Sequence, residues 1–202
     1  MISRRIFALT AGALLAHAAG AAHATGPDEI SLGAADAPVR LIEYASLTCP
    51  HCAQFHATNW NVLRSEYIDR GRVHFTIREL ATPPAGVAVG MFQLARCGDA
   101  TPDEYFRRVS ILFAQQQAIL GAGSGIGIRD ALVRLGGEWG LAEAQVMASL
   151  TDASGVERIR RSMARAQTDG VTGTPAFLLN GTLVTDHAFH TPEGMRRILD
   201  AV

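Results

Sequence analysis

The sequence predicts an α/β domain in which a frame of strands and helices is split by a long helical insertion. Three observations carry this expectation. An apolar run, Val39 to Ala45, leads into Cys49-Pro50-His51-Cys52 and a helical pattern, and a second strand-like run follows at Val73 to Ile77. Residues 85–169 are then almost wholly helical in periodicity. Strand character returns only at Ala176, just before an Asn180-Gly181 turn and a last helix.

The N-terminus sets the compartment. Arg4 and Arg5 precede an uncharged stretch, Ile6 to Leu15, and Ala22-His23-Ala24 makes an A-x-A cleavage pattern. Residues 1–24 therefore read as a cleaved export signal. An uncleaved anchor would need roughly 20 strongly apolar residues, whereas this stretch is rich in alanine and glycine and carries His17 and His23. Ser3-Arg4-Arg5-Ile6-Phe7 also fits a twin-arginine signal, so the export route stays open. Removing residues 1–24 takes away two arginines and no acid, shifting the net charge from −1 to −3. No concentrated basic face asks for a nucleic-acid partner. Residues 25–202 are within the range of one domain, and the mature chain is expected to be soluble.

Val39-Arg40-Leu41-Ile42-Glu43-Tyr44-Ala45 is nearly continuous in apolar character, as a strand covered on both faces would be. Trp60, Leu63 and Tyr67 recur at helical spacing through to Asp69, with Gly71 as the stop. Val73 to Ile77 alternates like a strand, parallel to the first. Met91, Leu94 and Ala95 mark one inserted helix. Tyr105, Phe106, Val109 and Phe113 mark a second, and Val156, Ile159 and Met163 a last long one. Gly121 to Gly127 matches neither glycine-rich phosphate motif and follows no strand, so it reads as a linker. Ala176 to Leu179, Asn180-Gly181 and Thr182 to Val184 read as a hairpin. Thr191 caps a final helix with Pro192 in its first turn and Met195, Ile198 and Leu199 as its buried stripe.

Cys49 and Cys52 allow three readings: a structural disulfide, part of a metal site, or a redox centre. A zinc site wants four ligands. His51, His56 and Cys97 could join, but no second closely spaced Cys or His pair exists. A structural bond across so short a loop stabilises little. A redox pair needs an exposed, partly ionised sulfur, which a helix N-terminus promotes. Cys49 sits at such a point, Pro50 suits the first helical position, and His51 can add positive charge or a hydrogen bond. Cys52 lies about one turn later, on the same side.

The strand, the C-P-H-C at a helix start, the helical insertion and Gly173-Thr174-Pro175 leading into a hairpin together resemble the DsbA family of thiol:disulfide oxidoreductases. The resemblance covers the chain from about Asp28 to Val202. It implies a thioredoxin-like fold, with thioredoxin-like parts at 28–84 and 170–202 and a helical insertion at 85–169. It also implies that Cys49 is the nucleophile, Cys52 the resolving cysteine and Pro175 a cis-proline facing them. Thr174 would pair through its backbone with an extended substrate peptide, by strand addition. Glu43 falls where the family carries a buried acid under the active site. A carboxylate in so apolar a strand is anomalous, and suits a proton shuttle for Cys52; a solvated strand end is the alternative. No cofactor and no metal are expected.

Cys97 has no partner once Cys49 and Cys52 pair, and reads as a buried free thiol. Trp60 and Tyr67 read as helix core. Arg158, Arg160, Arg161 and Arg165 read as a solvated face. The expected activity is that of a periplasmic oxidase, passing its disulfide to reduced, newly exported proteins and reoxidised by a membrane partner. An isomerase or reductase is the alternative within the family, and a metal-binding module the alternative outside it. Thr174 before the proline resembles the isomerase-like branches. About 15 residues between position 24 and the first strand leave no room for a dimerisation domain of their kind, so an oxidase, and a monomer, are favoured.

Overall fold

The computed structural model describes residues 28–202. The export signal expected at 1–24 lies outside them. Five strands form one mixed sheet in the order β1-β3-β2-β4-β5. They are β1 (Ile30–Leu32), β2 (Val39–Ala45), β3 (Val73–Glu79), β4 (Ala176–Leu179) and β5 (Thr182–Leu183). β2 and β3 are parallel, with Leu41 opposite Phe75. β1 runs antiparallel to β3, and β4 antiparallel to β2 with Glu43 opposite Phe177. β1 is the strand that sequence patterning misses, because three residues are too few to display an alternation.

α1 (Pro50–Val62) connects the parallel strands and runs on into a π-helical turn, Leu63–Ile68, before Gly71 ends it at φ +68°. The inserted helices are α2 (Ala85–Arg96), α3 (Pro102–Ala114), α4 (Gln116–Leu120), α5 (Gly125–Glu138), α6 (Glu143–Leu150) and α7 (Ala153–Thr168). The Gly121–Gly127 stretch is only in part a connection. Ser124 accepts a hydrogen bond from the Gly127 N–H and so starts α5 within it. Asn180 and Gly181, both at positive φ, turn β4 into β5, as a two-residue hairpin requires. The Thr191 hydroxyl accepts from the Gly194 N–H and caps α8 (Pro192–Leu199).

Alternation along β2 divides the core. Leu41 joins the larger cluster with Phe75, Phe177 and the α1 side chains Phe55 and Trp60, while Ile42 and Tyr44 meet Leu178 and α7 Ala166 on the other face. A strand buried on both faces explains the unbroken apolar run. Trp60 and Tyr67 are core, as expected, with Trp60 stacked on Phe106.

One arginine of α7, Arg158, corrects the sequence reading, and two others carry ion pairs that periodicity does not show. Arg158 reaches the buried Glu79 at 3.0 Å, and Arg161 bonds Asp28 at 2.7 Å. Arg165 pairs with Glu29, which also holds Arg78. Arg160, Arg161 and Arg165 keep 72%, 57% and 41% of their side chains exposed, as a solvated face would, and Arg158, at 14%, is the one carried inward. Periodicity marks which residues share a helix face; it cannot show that acids from the β1 strand region and from β3 meet that face. Val156 and Met163 are likewise exposed, leaving Ile159 as the buried member of that triplet.

Candidate active site

β2 ends at Ala45, and a short loop carries the chain to Cys49, the N-cap of α1, with Pro50 as the first helical residue. Hydroxyls brace this loop. The Thr82 N–H and Oγ1 both donate to Ser46 Oγ, at 3.1 and 2.9 Å, and Thr48 Oγ1 donates to the Thr82 carbonyl at 2.8 Å. From the insertion, the buried Gln116 amide donates to the carbonyls of Leu47 and Cys49 at 2.8 and 3.0 Å. Replacing Gln116 with leucine takes the donor from the Leu47 carbonyl and leaves the Cys49 carbonyl with only the Ala53 N–H. The expected loss is about 1–3 kcal/mol of stability, read from the denaturant midpoint of the oxidised chain.

The Thr174-Pro175 peptide is cis, as the resemblance implies. Its loop closes over Cys49, whose sulfur lies 3.3 Å from the Thr174 carbonyl and donates to it only in the protonated form. Cys49 is therefore more covered than a nucleophile was expected to be, at 7% exposure, because the 174–175 segment lies across it. Cys52 is fully buried. All three cysteines are free thiols, and Cys97 is buried against α6, near the Gln145 carbonyl.

The two sulfurs of the motif differ sharply. Cys49 is brought down to about 5, first by the hydrogen bond from the Cys52 thiol, against the opposing effect of burial. The Thr174 side chain and the backbone N–H groups of Cys52 and His51 add to the same stabilisation. Burial pushes Cys52 far upward, and the charge-stabilised Cys49 and Glu43 push it further. One thiol of the pair is thus an anion at neutral pH while its neighbour holds its proton.

His51 follows Pro50 in the first turn of α1. What it contributes to the sulfur is its backbone N–H, as any residue but proline would at this turn. Its exposed ring lines a cavity of about 630 Å³ that also includes Phe55, Thr174, Pro175, His187 and His190. This groove beside the cysteines is mixed in character, with aromatic and proline walls and three imidazoles.

Glu43 is fully buried, so the solvated alternative is set aside. Oε2 lies 2.9 Å from Nε2 of His56, itself buried and stacked on Phe113. Sequence reasoning considered His56 only as a metal ligand. Its place four residues after Cys52 on one helix face was the signal that pointed inward. Nothing in the sequence pointed to Gln116, which meets the loop across a separation of 67 residues or more.

A parallel β-α-β unit with a dithiol at the start of its helix, faced by a cis-proline loop, defines a protein of thioredoxin type. The family model described as "Thioredoxin" matches residues 25–201, and the chain belongs to that family. A Rickettsia bellii protein named as a protein-disulfide oxidoreductase is 27% identical over 171 residues, which are 81% of this chain and 61% of the relative. The chain thus spans about three fifths of the length of that relative. Among solved structures, Wolbachia pipientis alpha-DsbA1 superposes with a TM-score of 0.73 at 21% identity, covering 87% of this chain and 90% of that one. A protein-disulfide isomerase from Novosphingobium aromaticivorans gives 0.74 at 17% identity, covering 86% and 96%. The fold is that of DsbA structures, with helices α2 to α7 running between β3 and β4.

Proposed function

We propose that the chain is an exported thiol:disulfide oxidoreductase that donates the Cys49–Cys52 disulfide to reduced, newly translocated proteins. The observation that carries this reading is the contrast between a Cys49 thiol lowered to about 5 and a Cys52 thiol held protonated. A stabilised Cys49 thiolate is a good leaving group and favours the reduced pair, and such a pair is an oxidant. Cys49 is the sulfur attacked by substrate, Cys52 the resolving thiol, and Glu43 the group that exchanges a proton with Cys52. The backbone of Thr174, next to Pro175, receives the substrate as an added strand. The name of the Rickettsia relative supports the same chemistry. Residues 1–24 would direct one domain, 25–202, to the periplasm as a monomer, where a membrane protein reoxidises it.

Thr174 and the isomerase named among the structural neighbours favour a second reading, disulfide isomerisation or reduction at the same site. Equilibration of the mature chain with glutathione separates the two. A reduction potential near about −120 mV supports donation, and one near about −270 mV supports reduction. A chain that forms no reversible disulfide would leave only a metal-binding or other binding role.

A further inference from the structure

Glu43 and His56 form a closed pair whose second polar atoms are idle. Their side chains are 0% and 3% exposed, yet Glu43 Oε1 and His56 Nδ1 have no hydrogen-bond partner among the described residues. Leaving buried polar atoms unpaired is costly, and an apolar pair of similar shape would avoid the cost. The position therefore asks for a role beyond packing. The chain contains no lysine, and the group facing the carboxylate is an imidazole, able to take a proton on one nitrogen while releasing one from the other. His56 also forms part of the wall of a second cavity, of about 480 Å³, between α1 and the α3–α4 region. Phe113 and Gln116 line it, and its rim includes the exposed Pro50, Ala57 and Gln117. The ring stands between a buried carboxylate and a cavity that opens to the surface.

We propose that His56 is the solvent-side member of a proton relay that serves Cys52 through Glu43. The relay rests on the exchange chemistry proposed above. When a substrate thiolate attacks Cys49, a substrate–Cys49 S–S bond forms and the Cys49–Cys52 bond breaks. Cys52 leaves with the electron pair, as a thiolate buried near a carboxylate, and must gain a proton. With the His56 proton on Nε2, Nε2 passes its proton to Glu43 and the carboxyl passes one to Cys52; Nδ1, closed to water in the resting structure, takes the replacing proton from cavity water when the wall formed by Phe113 and Gln116 shifts. The proton taken from solvent balances the one the substrate thiol released. Reoxidation, in which Cys52 loses its proton before attack, runs the path backwards and restores the ring. His56 acts through Glu43 and is a positioning residue.

The test is the rate at which dithiothreitol reduces the oxidised chain, followed by thiol alkylation. His56→Gln is expected to slow reduction about tenfold or more at neutral pH. His56→Ala should be slowed likewise and recover on addition of free imidazole, which a merely structural loss would not do. The wild-type rate should fall in D₂O, compared at equal thiolate fractions of the reductant. An unchanged rate in His56→Gln, or no imidazole response in His56→Ala, overturns the relay. Should the variants fail to fold, the wild-type measurement decides, since equal rates in H₂O and D₂O also overturn it. Failure of the function itself looks different: the wild-type chain would form no reversible Cys49–Cys52 disulfide, and the relay would fall with it.

Discussion

Cys52→Ala is expected to convert transient contacts with substrates into stable mixed disulfides through Cys49, with multiple turnover falling to background. Cys49 sits at the α1 N-terminus with its thiolate stabilised near pH 5, so it remains reactive in this variant. Loss of the Cys52 hydrogen bond, the largest contribution to that stabilisation, raises Cys49 but leaves the Thr174 and backbone donors in place. What disappears is the sulfur that would resolve the adduct from one turn along the helix. Non-reducing gels of the variant from the oxidising compartment would display reducible high-mass species. The double variant that also carries Cys49→Ala should show none. Adducts that persist without Cys49 would assign them to Cys97 and remove Cys49 as the nucleophile.

The reduced chain should gain stability relative to the oxidised chain as pH rises from about 5 to about 9. Below the native value of about 5, folded and unfolded chains both hold the Cys49 proton and the thiol contributes nothing. Between about 5 and the unperturbed value of 9.0, the unfolded chain binds a proton that the native chain has released, so stability climbs with pH. Near 9 the gain is complete. At higher pH it erodes, because burial keeps Cys52 protonated where the unfolded chain would ionise it. Denaturant midpoints of the reduced and oxidised chains, measured side by side, report the difference directly, since the oxidised chain has neither of these titrating thiols. A difference that stays flat across this range would contradict the stabilised thiolate and, with it, the reading of the pair as an oxidant.

Much of the frame was legible in the residues themselves. β2 was bounded at Val39 and Ala45 because its apolar run is unbroken, α1 at Pro50 because a proline follows a cysteine N-cap, and the β4–β5 turn at Asn180-Gly181 because those two residues accept positive φ. Such signals act between neighbours in the chain, where backbone geometry is set by the side chains on the spot. The C-P-H-C motif and the helix start were legible for the same reason. Tertiary structure decided what those local pieces meet. It set His56 against Glu43, laid the Thr174 carbonyl over Cys49, brought Gln116 under the active-site loop, and tied Arg158, Arg165 and Arg161 of α7 to Glu79, Glu29 and Asp28. None of these pairings joins residues within one turn of each other. Each is fixed by burial of the large core and by the alternation of β2, which points Glu43 toward α1 and Tyr44 away from it. A sequence shows which side of an element is apolar; the packing of whole elements decides which polar groups are carried inside with it.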